Sequence, residues 1–241
     1  MVSIYGLSGY ELPMKECFNL IKQAGFDGVS LWWSGEFGRP DYRDAPGLAA
    51  NAGLFVENVH APFEGINNLW LDNLEGKTLT DNFLMNVDDC AEYGIPCMIL
   101  HLSNGDAPPP FNETGLDRVK AVLEKAERRG VNIAFENLRR VDYLEYVLNR
   151  VDSKRAGFCY DSGHHCCWSP NDDLLSKYGS RLTALHLHDN DGRVDKHLLP
   201  FDGIIDWRTT MKNIGKTGYA GAVSLEVVNA GREGMPVNEF F

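Results

Sequence analysis

Imidazole and carboxylate side chains stand at or near the ends of short apolar segments throughout the sequence. His60 ends the segment 56–60, His101 ends 97–101 and Glu136 ends 132–136. The complete set of such residues is His60, His101, Glu136, Asp161, His186 and Glu226. Imidazoles and carboxylates are the ligands that divalent ions such as Zn, Mn, Co and Mg use in proteins. The pattern therefore predicts one metal-binding site built from residues that are far apart in the chain.

Two short motifs place further candidates beside this set. Asp161-Ser162-Gly163-His164 puts an imidazole three residues after a carboxylate, so both can point into one cavity. The segment 186–197 adds His188, Asp195 and His197. Alternate residues of a strand face the same way, so His186 and His188 share one direction and only one of them has to be a ligand. The turn predicted at Asp191-Gly192 lets the end of the segment fold back toward the site.

Parallel strands joined by helices are the elements that would bring these residues together. Short runs rich in β-branched and aromatic residues alternate with longer amphipathic segments. The predicted strands are Val2 to Gly6, Asp27 to Trp33, Leu54 to His60, Pro96 to Leu102, Asn132 to Glu136, Gly157 to Asp161, Ala184 to His188 and Ala222 to Val227. The predicted helices are Leu12 to Ala24, Asp41 to Ala52, Leu79 to Tyr93, Gly115 to Arg129, Val141 to Arg150, Asp172 to Tyr178 and Trp207 to Thr217.

Eight strands in a chain of 241 residues indicate an α/β fold with a single (β/α)8 TIM barrel, residues 1–241 forming one domain. Glycines at the ends of several predicted helices, such as Gly25 and Gly130, fit short connections in such a barrel. An open doubly wound sheet would show the same glycines at the ends of its helices. In the barrel the carboxyl ends of all strands meet at one face, where the polar residues would converge.

Composition limits the possible partners. The net charge of −11, from 23 Lys and Arg against 34 Asp and Glu, makes nucleic acid an unlikely partner. The six cysteines show neither disulfide-framework spacing nor a CxxC pair, so we expect reduced thiols in the core. With no apolar run of about 20 residues and no basic leader, we expect a cytoplasmic protein without a membrane partner. A homo-oligomer is compatible with the sequence.

The chain resembles the xylose isomerase-like TIM-barrel superfamily, which holds sugar and sugar-phosphate isomerases and epimerases and also endonuclease IV. The segments that carry the resemblance are Phe135-Glu136-Asn137, Asp161-Ser162-Gly163-His164, His186-Leu187-His188-Asp189-Asn190, Asp195-Lys196-His197 and Ser224-Leu225-Glu226, with His60-Ala61-Pro62 and His101 in the first half. The epimerase branch implies one metal on Glu136, Asp161, His186 and Glu226. The three-zinc set of endonuclease IV adds His60, His101, His164, Asp195 and His197.

The resemblance favours an isomerase or epimerase that acts on a sugar or sugar phosphate and needs one to three divalent ions (Mn, Zn, Co or Mg). We expect Glu136 and Glu226 to remove and return a proton beside a carbonyl, through an enediolate that the metal stabilises. The residues that we expect to bind substrate are His164, Trp33, His188 and Arg193. Trp32, Phe63 and Trp168 also follow strands and could cover a sugar ring.

Two other functions remain open from the sequence. The longer ligand set suggests a trinuclear-zinc phosphoesterase acting on abasic-site DNA or on a small phosphate ester, although the acidic chain lacks basic loops for a DNA duplex. A non-catalytic, metal-dependent sugar-binding module is the third possibility. Pro200-Phe201-Asp202-Gly203 departs from the Pro-Gly-x-Gly turn of relatives, which leaves the shape of that loop open.

Overall fold

The structure is a computed structural model that describes residues 1–36 and 41–241. Its centre is a sheet of eight parallel strands in the order β7-β6-β5-β4-β3-β2-β1-β8. The strands are β1 (Val2–Tyr5), β2 (Gly28–Trp32), β3 (Phe55–His60), β4 (Cys97–Leu100), β5 (Asn132–Glu136), β6 (Ala156–Asp161), β7 (Leu182–His186) and β8 (Val223–Leu225). Six of them lie within the segments predicted as strands. β6 begins one residue before its predicted start, at Ala156, and β7 begins two residues before, at Leu182.

Backbone hydrogen bonds just after β7 join the two ends of this sheet. Leu187 donates its backbone N–H to the carbonyl of Ser224 at 2.9 Å, and Glu226 donates to the carbonyl of Leu187 at 3.1 Å. Leu187, directly after β7, and Leu225 of β8 therefore form a parallel bridge that closes the barrel. The expected single (β/α)8 TIM barrel is confirmed, and the open doubly wound sheet is excluded.

Helices surround the barrel and connect its strands. In the described ranges they are α1 (Met14–Gln23), α2 (Ala45–Asn51), α3 (Leu74–Glu92), α4 (Glu113–Arg129), α5 (Val141–Leu148), α6 (Ser162–Trp168), α7 (Leu174–Tyr178), α8 (Trp207–Lys216) and α9 (Val237–Phe240). The sequence did not predict α6 or α9. Helix α3 begins five residues before its predicted start, because the Asn73 side chain caps it by accepting a hydrogen bond from the Gly76 N–H at 2.8 Å.

The buried apolar side chains form one large and one small cluster. The small cluster comes from four neighbouring strands, β4 to β7, and consists of Cys97, Ile99, Ala134, Cys159 and Ala184. All six cysteines are free thiols, and four of them are buried, as expected for packing residues. In the part of the chain that the structure describes, no helix combines the length and the apolar character needed to cross a membrane.

A β-bulge in β3 places one extra polar residue inside the barrel. Val56 pairs with Val29 but Asn58 pairs with Ser30, so Glu57 is the extra residue on β3. The Ser3 hydroxyl donates to Glu57 Oε2, and the Tyr219 hydroxyl lies 3.5 Å from Oε1. Burial raises the pKa of Glu57 above its ordinary value, although the hydroxyl groups of Ser3 and Ser224 oppose the rise.

Candidate metal centre and substrate cavity

The carboxyl ends of six strands and the loop after β7 bring the predicted ligands into one assembly. Three groups form, and in each of them one nitrogen or oxygen atom per residue lies within 4.8 Å of the others. The groups are His60, His101 and Glu136; Glu136, Asp161, His186 and Glu226; and His164, His188, Asp195 and His197. We call them the first, second and third groups. All nine residues predicted as ligands belong to one of them, and His188 is the additional member.

Glu136 belongs to two groups because its two oxygens face different neighbours. Oε2 lies 3.0 Å from His101 Nε2 and 3.3 Å from His60 Nε2. Oε1 lies 3.0 Å from His164 Nδ1 and 3.5 Å from His186 Nδ1. Burial favours the protonated form of this carboxyl, but the surrounding imidazoles, His186 and His101 first, hold the pKa of Glu136 well below its usual range.

The second group is fully buried and offers a mixed nitrogen and oxygen donor set. His186 Nδ1 lies 3.1 Å from Glu226 Oε2, in an orientation that makes no hydrogen bond with any described residue. Burial raises the pKa of Glu226, but the charge of His186 outweighs it and brings the value to about 2. Three carboxylates around an imidazole nitrogen without a hydrogen bond suit a divalent cation, which would satisfy that nitrogen and balance the negative charge.

Asp161 has two structural roles beside its place in the second group. Its Oδ1 accepts the backbone N–H of His164 at 2.6 Å and so caps α6. Its Oδ2 lies 3.0 Å from His188 Nε2, within a pair of fully buried side chains. The short helix α6 exists because this cap fixes its first turn, and the helix in turn directs His164 into the site.

The third group is built on the loop after β7. Asp195 Oδ2 lies 3.1 Å from both His164 Nε2 and His197 Nε2. Burial raises the pKa of Asp195, but the two imidazoles outweigh burial and bring the pKa well below its ordinary range. Burial lowers the pKa of His197, but hydrogen bonding to Asp195 outweighs this and raises it to about 9. His197 has φ 49°, a left-handed conformation that costs about 1–3 kcal/mol in a non-glycine residue and is held by these contacts.

A buried carboxylate that the sequence did not single out holds this loop in place. Asp189 Oδ2 accepts the Trp207 indole N–H at 2.8 Å and the Phe201 N–H at 2.9 Å. Its Oδ1 accepts the N–H groups of Asn190 at 2.9 Å and Ile205 at 3.1 Å. The only available sequence signal was its position directly after His188.

The turn at Pro200-Phe201-Asp202-Gly203, whose shape the sequence left open, forms with Phe201 at φ 77°, in the region that glycine prefers. The Phe201 N–H bound to Asp189 helps to hold this conformation. The side chain of Phe201 extends into solvent with an exposed fraction of 82%.

A cavity of about 300 Å³ opens above the three groups, and aromatic rings form much of its wall. Each of three imidazoles stacks on one ring. The pairs and their centroid distances are His60 with Trp32 at 5.2 Å, His101 with Phe63 at 4.3 Å and His164 with Trp168 at 4.5 Å. Stacking fixes the imidazole planes, and the apolar rings restrict water around Glu136 and Glu226, which also line the cavity.

Of the four residues expected to bind substrate, His164 lines this cavity and Trp33, His188 and Arg193 do not. The three aromatic residues expected to cover a sugar ring also line it: Trp32, Phe63 and Trp168. Trp33 is 1% exposed in the core, where its indole N–H donates to Asp89 at 2.9 Å; Trp32, one residue earlier, faces the cavity instead. His188 is buried beneath His197, with the ring centroids 4.0 Å apart. Arg193 is exposed on the loop and does not reach the described cavity wall. The sequence also missed two residues that line the cavity: Tyr5, the last residue of β1, and Arg139, which follows β5.

Comparison with known proteins agrees with this architecture. The chain is 29% identical to the uncharacterised protein y4fM of Sinorhizobium fredii, over 90% of this chain and 82% of that protein. It is 24% identical to fructoselysine 3-epimerase of Shigella flexneri, over 90% and 86%. The crystal structure of the IOLI protein with a bound zinc atom has a TM-score of 0.77 at 16% identity, covering 94% of this chain and 89% of that one. The family model described as xylose isomerase-like TIM barrel matches residues 18–239, so the chain belongs to that family.

Proposed function

We propose that this protein is a divalent-metal-dependent isomerase or epimerase that moves a proton at a carbon next to a carbonyl in a small carbohydrate. The observation that carries the proposal is the position of Glu226. Its Oε2 contacts His186 and His197, whereas Oε1 makes no hydrogen bond or ion pair with residues 1–36 or 41–241. A carboxylate with one fixed and one free oxygen, at the edge of an aromatic cavity, is suited to accept a proton from a bound substrate.

The second group supplies the residues that would hold the metal. Glu136, Asp161, His186 and Glu226 would hold a divalent cation, which would supply Lewis acidity for a bound carbonyl group. Burial raises the pKa of Glu226, but the charge of His186 outweighs it and lowers the value, so the carboxylate is ionised at neutral pH. The similarity to a fructoselysine 3-epimerase supports the same class of chemistry.

The two glutamates are not equivalent in this arrangement. Both oxygens of Glu136 are within 3.5 Å of imidazole nitrogens, so this residue is placed to act mainly as a ligand. Glu226 is therefore the stronger candidate for the base. His164 has Nδ1 beside Glu136 and Nε2 beside Asp195, so it is placed to orient these two carboxylates in the cavity.

Solvent deuterium exchange tests the proposal. Manganese-loaded protein is incubated in D2O with ribulose, tagatose and fructose, and deuterium at the carbon next to the carbonyl is followed by NMR. Glu226→Gln should slow exchange about 100- to 10,000-fold while the fold is kept. Glu57→Gln is the matched control, because this buried glutamate lies inside the barrel but does not line the cavity. Exchange at the wild-type rate in both Glu226→Gln and Glu136→Gln would exclude the proposal.

Metal-assisted phosphoester hydrolysis is the second candidate. It is favoured by Glu136, whose oxygens join the first and second groups, and by a third group that shares the same cavity. Such an arrangement has room for more ions than proton transfer requires. Metal analysis of purified protein separates the candidates: about one ion per chain supports the isomerase, and about three zinc ions support hydrolysis. Abasic-site duplex DNA and bis(p-nitrophenyl) phosphate are the assay substrates for hydrolysis. Sugar binding without exchange or hydrolysis would instead indicate a binding module.

A further inference from the structure

One permanently charged cation stands among the described residues that line the cavity. Arg139 follows β5, three residues after Glu136, and its guanidinium lies at the rim. The other charged groups of the lining that have a fixed sign are the carboxylates of Glu136, Asp195 and Glu226. A neutral sugar at the metal ligands needs no such cation, so the presence of Arg139 calls for a separate explanation.

Two contacts hold the guanidinium at this rim. Arg139 Nη1 donates to Asp106 Oδ1 at 2.8 Å, and Cζ lies 4.7 Å from the centre of the Trp168 ring. Trp168 in turn stacks on His164, so the arginine is connected to the third group through one aromatic ring. The cation–π contact fixes the plane of the guanidinium and limits its freedom to turn away from the cavity.

The guanidinium retains donors for an incoming ligand. Its hydrogen bond to protein uses Nη1, and neither Nη2 nor Nε is bonded to any residue in the two described ranges. The Asp106 side chain is 82% exposed, so this ion pair is screened by water and contributes little to stability. A ligand with two oxygens can therefore replace or join Asp106 at small cost. The planar fork of arginine suits such groups in a bidentate manner.

We infer that Arg139 binds an oxyanion carried by the substrate, and that the substrate is therefore an anionic carbohydrate such as a sugar phosphate or a sugar acid. This inference rests on the proposed function, because it assigns the end of the substrate that lies away from the second group. The loop residues Ser103, Asn104 and Gly105 line the same cavity and share the rim with Asp106. The oxyanion would lie between this loop and Arg139, with the reacting carbon toward Glu226.

Arg140 provides a matched control for the test. It also pairs with an aspartate, donating from Nη2 to Asp142 at 2.6 Å, and it also lies over an aromatic ring, that of Tyr143 at 5.5 Å. Unlike Arg139, it is not among the described residues that line the cavity. Arg139→Gln and Arg140→Gln therefore remove the same charge from neighbouring positions with similar contacts.

Binding is measured by isothermal titration calorimetry of the manganese-loaded full chain with paired ligands. The pairs are ribulose with ribulose 5-phosphate, fructose with fructose 6-phosphate, and galactose with galacturonate. We expect an anionic member to bind at least about tenfold more tightly than its neutral partner. Arg139→Gln should weaken that member about 10- to 100-fold and leave the neutral sugar within about twofold, whereas Arg140→Gln changes neither. The phosphate and carboxylate pairs show which oxyanion is preferred.

Three results would overturn the inference: equal affinity for neutral and anionic members, an equal loss of both in Arg139→Gln, or no binding of any anionic member. Direct binding of phosphate to metal ions would give an affinity that Arg139→Gln does not change, which also counts against it. Failure of the proposed function is separately visible. Charge-selective, Arg139-dependent binding without deuterium exchange would refute proton transfer alone, and exchange on neutral sugars without charge selectivity would refute this inference alone.

Discussion

Replacement of Asp189 by asparagine removes the carboxylate that fixes the loop after β7. Four N–H donors converge on its two oxygens, at distances between 2.8 and 3.1 Å, and the side chain is fully buried. Asparagine is almost the same size but keeps only one acceptor oxygen. Whichever way its amide turns, two donors lose their acceptor and face an NH2 group instead.

The magnitude follows from these two donors. A buried donor left without an acceptor costs about 1–3 kcal/mol, so Asp189→Asn should lower the free energy of unfolding by about 2–6 kcal/mol. The loop carries Asp195 and His197, and release of the Phe201 and Ile205 backbone should also displace these two residues. We therefore expect the affinity of the third group for zinc to fall together with the stability.

Urea denaturation followed by circular dichroism measures the first effect, and zinc titration of the folded variant measures the second. Asp191→Asn is the control, because Asp191 lies on the same loop but forms an exposed ion pair with Lys196 at 2.6 Å. The control should have the smaller effect on both quantities. If Asp189→Asn unfolds within about 1 kcal/mol of wild type and binds zinc as before, the assigned role of this carboxylate is refuted.

Three further substitutions test other parts of the structure. Phe201→Gly should raise the free energy of unfolding by up to about 1 kcal/mol, because glycine relieves the left-handed backbone at an exposed position; a fall in the thermal midpoint would contradict this. Burial raises the pKa of Glu57, so the contribution of this residue to stability is fully present below its unfolded pKa and is lost as pH rises through its folded pKa. The free energy of unfolding of Glu57→Gln relative to wild type should therefore grow from pH 4 to pH 8 in urea titrations. A constant difference would refute the shift. Gly163→Ala should reduce zinc binding, because the added Cβ overlaps the imidazole of His188. Gly215→Ala is the control, because open space surrounds this position, and it should bind zinc normally in the same titration. Equal binding by both variants would show that the overlap is harmless.

The clustering of the proposed ligands could be predicted because the carboxyl ends of all strands in a parallel barrel meet at one face. A strand inside a parallel barrel is apolar along most of its length, so a charged residue at its end is conspicuous. Glu136 and Asp161 are both of this kind, and each is the last residue of its strand in the structure. Their convergence required only that the strands be parallel, which the alternating helices already indicated.

The direction of individual side chains was harder to predict. Trp32 and Trp33 are equally hydrophobic, and only the register of β2 against β3 determines which one faces the cavity. The bulge at Glu57 shows why a regular alternation is insufficient, since one extra residue reverses the faces of everything beyond it. His188, which we expected to bind substrate, is instead buried against Asp161. This contact joins the end of β6 to the residues just after β7, and no local spacing in the sequence reveals it.

Glu136 would couple the binding of metal ions in the first and second groups, because it belongs to both. Its Oε2 belongs to the first group and its Oε1 to the second. A cation bound in one group would therefore reduce the negative charge that attracts a cation to the other. Binding to the two groups must therefore be coupled, and Glu136→Gln should weaken both, whereas Glu226→Gln should weaken only the second. A cation held by His60, His101 and Glu136 would therefore change the electrostatics around Glu226 through the carboxylate that the two groups share.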